Sequence, residues 1–131
     1  MPTVDAVSRR MLRSSALIFI ALAACGTEPT FIAYDATVVS PNGAEGAVVL
    51  ELDGSFAEAI SVGSGRVFTS ARNDVTRVVL VRSTPGELTF TMTLDAPAKP
   101  PTVRLLQVAD GANQLRAVLR QYRVEFTGIG Q

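Results

Sequence analysis

The segment Leu88-Thr89-Phe90-Thr91-Met92-Thr93-Leu94-Asp95 alternates apolar and polar side chains without a break. Successive side chains of a β-strand point to opposite faces, so this order buries Leu88, Phe90, Met92 and Leu94 together and leaves the threonines and Asp95 wet. A helix would scatter the same four apolar groups around its axis. A strand with one wet face belongs to an antiparallel sheet, because parallel sheets are covered on both sides.

The same grammar runs through the chain from Phe31 onward, with short runs rich in Val, Thr, Leu and Phe separated by Gly, Pro, Asn and Asp. Strands are expected over 31–40, 47–53, 56–62, 66–70, 75–82, 88–95, 103–109 and 115–126. Asn42-Gly43 and Asp53-Gly54 are turn signals, 71–74 and 110–113 close hairpins, and Thr84-Pro85-Gly86-Glu87 has the chemistry of a type II turn. The run Val78-Val79-Leu80-Val81 predicts a central strand covered on both faces, and Pro97, Pro100 and Pro101 predict an extended crossing loop over 96–102. In the last strand Leu115, Ala117 and Leu119 share one parity while Tyr122, Val124 and Phe126 share the other, so a β-bulge is expected at Arg120-Gln121. About eight strands at this spacing predict an all-β fold, an antiparallel two-sheet β-sandwich occupying residues 31–131. From 47 to 94 a Val-Leu strand, a Phe-containing segment, a Gly-rich turn, a Val-rich strand, Pro-Gly and a Thr-rich strand follow in an order that resembles cohesin-like and carbohydrate-module-like sandwiches. That resemblance implies architecture only.

Composition then narrows the chemistry. The chain has no histidine, no tryptophan and a single cysteine, Cys25. Ser-His-Asp and Cys-His catalysis are thereby excluded, as is an intramolecular disulfide. Catalytic residues, metal and cofactor are all expected to be none. Acids dominate residues 26–65 and bases dominate 66–131, so strands from the two halves are expected to pair their charges. No nucleic-acid partner is expected.

Ahead of the sandwich, Arg9, Arg10 and Arg13 precede an apolar run from Ala16 to Ala24 that ends on Cys25. As a helix that run would extend roughly 14 Å, against a hydrocarbon core of about 30 Å, so it is too short to span a bilayer and has the layout of a secretory signal. Leu22-Ala23-Ala24-Cys25 resembles the bacterial lipobox. The resemblance implies cleavage after residue 24, giving a signal peptide over 1–24. It also implies fatty-acyl chains such as palmitate on the Cys25 sulfur, a short tether over 25–30, and a cell-envelope location facing the periplasm or the exterior. Gly26, standing where aspartate would retain an inner-membrane lipoprotein, implies the outer membrane in a Gram-negative cell. Ser8-Arg9-Arg10-Met11-Leu12 resembles a twin-arginine export motif, while its arginines also serve an ordinary signal, so both export routes stand.

Within the domain, Arg116, Arg120 and Arg123 are expected to project from the wet face of the last strand. A row of guanidiniums there is a candidate anionic-ligand face for a polysaccharide, and equally a charged guard on an edge strand. Glu45, Glu51, Asp53 and Asp35 are expected to be solvated carboxylates rather than calcium ligands, and Tyr34 and Tyr122 ordinary core or boundary residues. Together these features predict a lipid-anchored, non-enzymatic interaction or envelope-structural module with a protein or polysaccharide partner. A carbohydrate or anionic-polymer binding module is the alternative, and a small hydrolase the third.

Overall fold

The computed structural model describes residues 30–129. Cys25, the lipobox residues Leu22, Ala23 and Ala24, and the export signal lie outside the described residues. The strands are β1 (Phe31–Val39), β2 (Glu45–Asp53), β3 (Ile60–Ser61), β4 (Arg66–Arg72), β5 (Val75–Gly86), β6 (Leu88–Asp95), β7 (Val103–Ala109) and β8 (Arg123–Ile129). They form two four-stranded sheets, ordered β3-β6-β1-β8 and β4-β5-β2-β7, and every pairing is antiparallel. Among the described residues there is no helix. The protein is an antiparallel two-sheet β-sandwich.

The alternation of β6 decides the inner face of the first sheet. Leu88, Phe90, Met92 and Leu94 are buried, and across the interface they join Val48, Leu50 and Leu52 of β2 and Val78 and Leu80 of β5. Burying each such side chain stabilises the fold by about 1.5–3 kcal/mol. Phe90 meets Phe126 edge to face, with ring centroids 6.3 Å apart and planes at 89°. Outside this sheet the threonines of β6 face solvent, and Thr91 donates to Asp35 across the β1–β6 pair.

The chain changes sheet at six connections, every one but the β4–β5 hairpin. β1 leads into β2 through residues 40–44, β2 into β3 through 54–59, β3 into β4 through 62–65, β5 into β6 at Glu87, β6 into β7 through 96–102, and β7 into β8 through 110–122. Phe31 pairs with Asp95, and Asp53 pairs with Val75, which pairs with Arg72. The start of β1 and the ends of β2, β4 and β6 therefore lie at one end of the sandwich, opposite the 40–44 and 110–122 loops.

Several expectations are corrected. The segment 115–126 is not one strand. Only Leu115 bridges β7, at Ala109; the chain then leaves the sheet, turns at Leu119–Tyr122, and enters the other sheet as β8. The parity change around Arg120-Gln121 reflects that crossing, and no bulge forms there because no strand does. Register shifts occur instead along β2, between Glu45 and Ala47, where the extra residues 82–85 belong to β5, and between Val49 and Leu50, where the extra residue is Leu106 of β7.

Thr84-Pro85-Gly86-Glu87 is not a type II turn, since Gly86 does not adopt positive φ and pairs with Glu45 as the last residue of β5. The Val78–Val81 run is central in its sheet but covered on one face only, with Val81 39% exposed. Residues 56–62 form a turn with a two-residue strand, consistent with the helix-leaning Ala57-Glu58-Ala59.

Candidate functional site

Two features stand out from the ordinary surface of a sandwich. The first is a polar knot around Glu45, which is 1% exposed. A β2 residue two places before the expected strand start, Glu45 turns its carboxylate into the interior at the first register shift. It accepts hydrogen bonds from Tyr122 Oη at 2.5 Å, Ser40 Oγ at 2.7 Å and Arg116 Nε at 3.1 Å. Asn42 Nδ2 donates to Tyr122 Oη at 2.7 Å. Burial pushes the Glu45 pKa up, but the hydrogen bonds from Tyr122, Ser40 and Arg116, with the Arg116 charge, outweigh it and hold the carboxyl below its ordinary value.

Arg116 also stands 3.8 Å from Asp110, whose carboxylate accepts from the backbone N–H groups of Ala112 and Gln114. Those backbone bonds, led by the one from Gln114, keep Asp110 below its usual range against a smaller opposing effect of burial. Gly46 lets the loop approach, because a Cβ there would lie 2.5 Å from the Asp110 carbonyl oxygen. Every buried side-chain polar atom among the described residues has a partner. The knot ties the 40–44 and 110–122 loops to β2 and leaves no free group for chemistry.

The second feature is the outer face of the β4-β5-β2-β7 sheet. Register sets its rows: Phe68–Val79–Val49–Gln107, then Ser70–Arg77–Glu51–Arg104 on one side and Arg66–Val81–Ala47–Ala109 on the other. Neighbouring positions in a row are separated by about 4.8 Å, and rows by about 6.8 Å. Phe68 is 57% exposed, so the sheet presents a bare aromatic group beside partly open valines. Glu51 lies between Arg77, whose Nη2 donates at 2.6 Å, and Arg104, which donates to its other oxygen. These hydrogen bonds from Arg77 and Arg104 hold the Glu51 pKa below its ordinary value. Arg72, Arg77 and Arg104, with Ser70, Asn73 and Val75, rim a shallow depression of about 560 Å³.

The arginines singled out from sequence are not one face. Arg116 belongs to the Glu45 knot, Arg120 is exposed in the turn before β8, and Arg123 opens β8 and pairs with Glu125 at 2.7 Å. The carboxylates are also dispersed. Glu45 is buried rather than solvated, Glu51 is held by arginines, and Asp35 lies in the other sheet. Charge pairing between the halves is present in Glu51–Arg77, Glu51–Arg104 and Glu45–Arg116. Tyr34 packs on Phe126, and Tyr122 is 6% exposed within the core cluster.

Sequence reading missed Arg66, Phe68, Arg72, Arg77 and Arg104. Part of the signal was present: Arg66, Phe68 and Arg72 share one parity within their strand, and Arg77 shares one with Val75, Val79 and Val81 within the next. Compared with known proteins, the chain matches no family model, no curated protein and no solved structure.

Proposed function

We propose that this protein is a lipid-anchored, exported β-sandwich that serves as a non-enzymatic interaction module of the cell envelope. The observation that carries the reading is the position of Cys25, the only thiol, directly after Leu22-Ala23-Ala24 and an apolar run, six residues before β1 begins. Acyl chains contribute about 0.8 kcal/mol per buried CH₂, so two or more on that sulfur give a stable anchor. Six residues reach at most about 22 Å, which keeps the sandwich close to the bilayer. The β4-β5-β2-β7 outer face, with exposed Phe68 amid arginines, supplies a surface suited to a partner.

Fractionation of cells expressing the full chain tests the anchor. The wild type is expected with the membranes, and Cys25→Ala in the soluble fraction or as an uncleaved precursor. Unchanged partitioning and unchanged mass of Cys25→Ala would reject it. An anionic envelope polymer is the second reading, favoured by the arginine-rimmed depression at Arg72, Arg77 and Arg104.

A further inference from the structure

We infer that the free edge of β4 is a strand-addition site for an extended segment of a partner protein, one with an apolar residue facing Phe68 and acids facing Arg66 and Arg72. The inference rests on the interaction-module reading and names the partner's chemistry.

Three observations converge on this edge. β4 pairs with β5 alone, and among the described residues no other backbone group bonds to the main chain of Arg66–Arg72, the Ala57 carbonyl being held by the Thr69 hydroxyl at 2.8 Å, so alternate residues of the strand turn N–H and C=O groups outward unpaired. The other edge of this sheet is covered in part: Leu115 bridges Ala109, and Arg116 N–H donates to the Val108 carbonyl at 2.8 Å. In the first sheet, β3 has only two residues, and β8 carries its own neutralising pair, Arg123–Glu125.

Next, Phe68 lies at the middle of β4, 57% exposed, beginning the apolar row that continues to Val79 and Val49. A strand added at the edge would extend that row by one position. Finally, Arg66 and Arg72 flank Phe68 on the same face, both exposed and without an ion-pair partner among the described residues.

The two arginines also choose the occupant. A second copy pairing antiparallel about Thr69 would set Arg66 against Arg72 of its neighbour twice over, and like charges directly opposite are destabilising. The same positions reward carboxylates. In that register the edge is guarded against its own kind, and it is open to an acid-flanked strand. Such a strand gains main-chain hydrogen bonds from the edge and specificity from alternate side chains.

The probe is the fluorescein-labelled peptide acetyl-Glu-Thr-Thr-Thr-Val-Thr-Glu-amide, which in antiparallel register sets its glutamates against Arg72 and Arg66 and its valine against Phe68. Anisotropy with the full chain in non-ionic detergent is expected to show affinity about ten-fold or more above that of the same peptide ending in lysines. The Arg66→Glu/Arg72→Glu variant should reverse the preference and bind the lysine peptide, which also shows that it is folded. N-methylation of alternate peptide residues should abolish binding in one phase and spare it in the other.

Cys25→Ala should leave the peptide affinity unchanged, so loss of the anchor and loss of the edge are read separately. Equal affinity for the glutamate and lysine peptides, or no binding of either, overturns the inference. So does equal behaviour of the two N-methylated phases. Displacement of the peptide by polygalacturonate at matched carboxylate concentration would assign the arginines to polymer binding and likewise overturn it.

Discussion

Tyr122 reaches the Glu45 carboxylate at 2.5 Å from 77 residues further along the chain, and that hydrogen bond fixes where the last connection of the sandwich crosses between sheets. Tyr122→Phe keeps the ring in the core but removes the O–H from a buried carboxylate and the acceptor from Asn42. Hydrogen bonds to charged groups contribute about 1.5–3 kcal/mol, so the variant is expected to lose about 2 kcal/mol of unfolding free energy. Urea denaturation measures it, and a loss below 0.5 kcal/mol (an order-of-magnitude threshold) would remove the knot from any structural role.

Arg116 and Arg123 look alike in sequence and differ in the fold. Arg116 contacts a carboxylate that is almost fully buried, whereas Arg123 and Glu125 hold each other in solvent. Removing one partner from a buried charge leaves it uncompensated, while exposed pairs contribute little. Arg116→Ala should therefore lower the melting temperature clearly and Arg123→Ala hardly at all. Equal melting temperatures for the two variants would contradict the assignment.

The depressed Glu45 pKa gives stability a pH dependence with a definite sign. A carboxyl whose folded pKa lies below its unfolded value near 4.5 contributes fully above that value and loses its contribution as pH falls through the folded one. Stability should thus decline below about pH 4.5, and Glu45→Gln should flatten the decline relative to its own value at pH 7. Glu51 and Asp110 are lowered as well, so a residual slope remains in the variant. Thermal melts between pH 7 and pH 3 make the comparison; identical slopes in the variant and wild type would exclude Glu45 as a source.

How far the sequence could be read depended on whether an element was determined by its own pattern or by a distant partner. β6 was legible residue by residue, because alternation under one buried face is a local property of the chain. The 115–122 segment was not. Leu115, Ala117 and Leu119 alternate as a strand would, yet Leu115 is 66% exposed, and the path is set by Glu45 and the sheet crossing.

Pro85-Gly86 likewise has the local chemistry of a turn but continues β5, because Glu45 across the register shift supplies a pairing partner. The arginine face of the second sheet is made by register. Arg72, Arg77 and Arg104 come from three strands, and only the pairing of β2 with β5 and β7 brings two of them to Glu51. What a single strand encodes was visible, and what pairing assembles was not.

Gly46 offers a test of the close approach between β2 and the 110–122 loop. A Cβ at that position would fall 2.5 Å from the Asp110 carbonyl oxygen and 3.1 Å from its carbon, both backbone atoms that cannot rotate away. Gly46→Ala is expected to destabilise by about 1–3 kcal/mol, the range for forced overpacking. Gly63→Ala is its control, since nothing lies within 4 Å of a Cβ there. Equal stability of the two variants in urea would show that the loop yields freely.

The turn between β4 and β5 is built from Asn73 and Asp74, with φ of 53° and 55°. Two consecutive positive φ values match the twist of a tight hairpin, and the strands on either side pair without a break from Arg72–Val75 to Arg66–Val81. Asn and Asp tolerate this region better than other L-residues, but glycine enters it without a Cβ clash. The backbone carbonyl of Asp74 accepts from Gly54 N–H at 2.6 Å, a bond that needs no side chain. Asp74→Gly should therefore keep the turn and relieve its strain, with a gain of about 0.5–1 kcal/mol after the entropy lost from the unfolded chain is set against it. Asp74→Val places a β-branched side chain at the same φ and should destabilise. If urea midpoints rank valine above glycine at this position, the hairpin does not turn through these two residues as described.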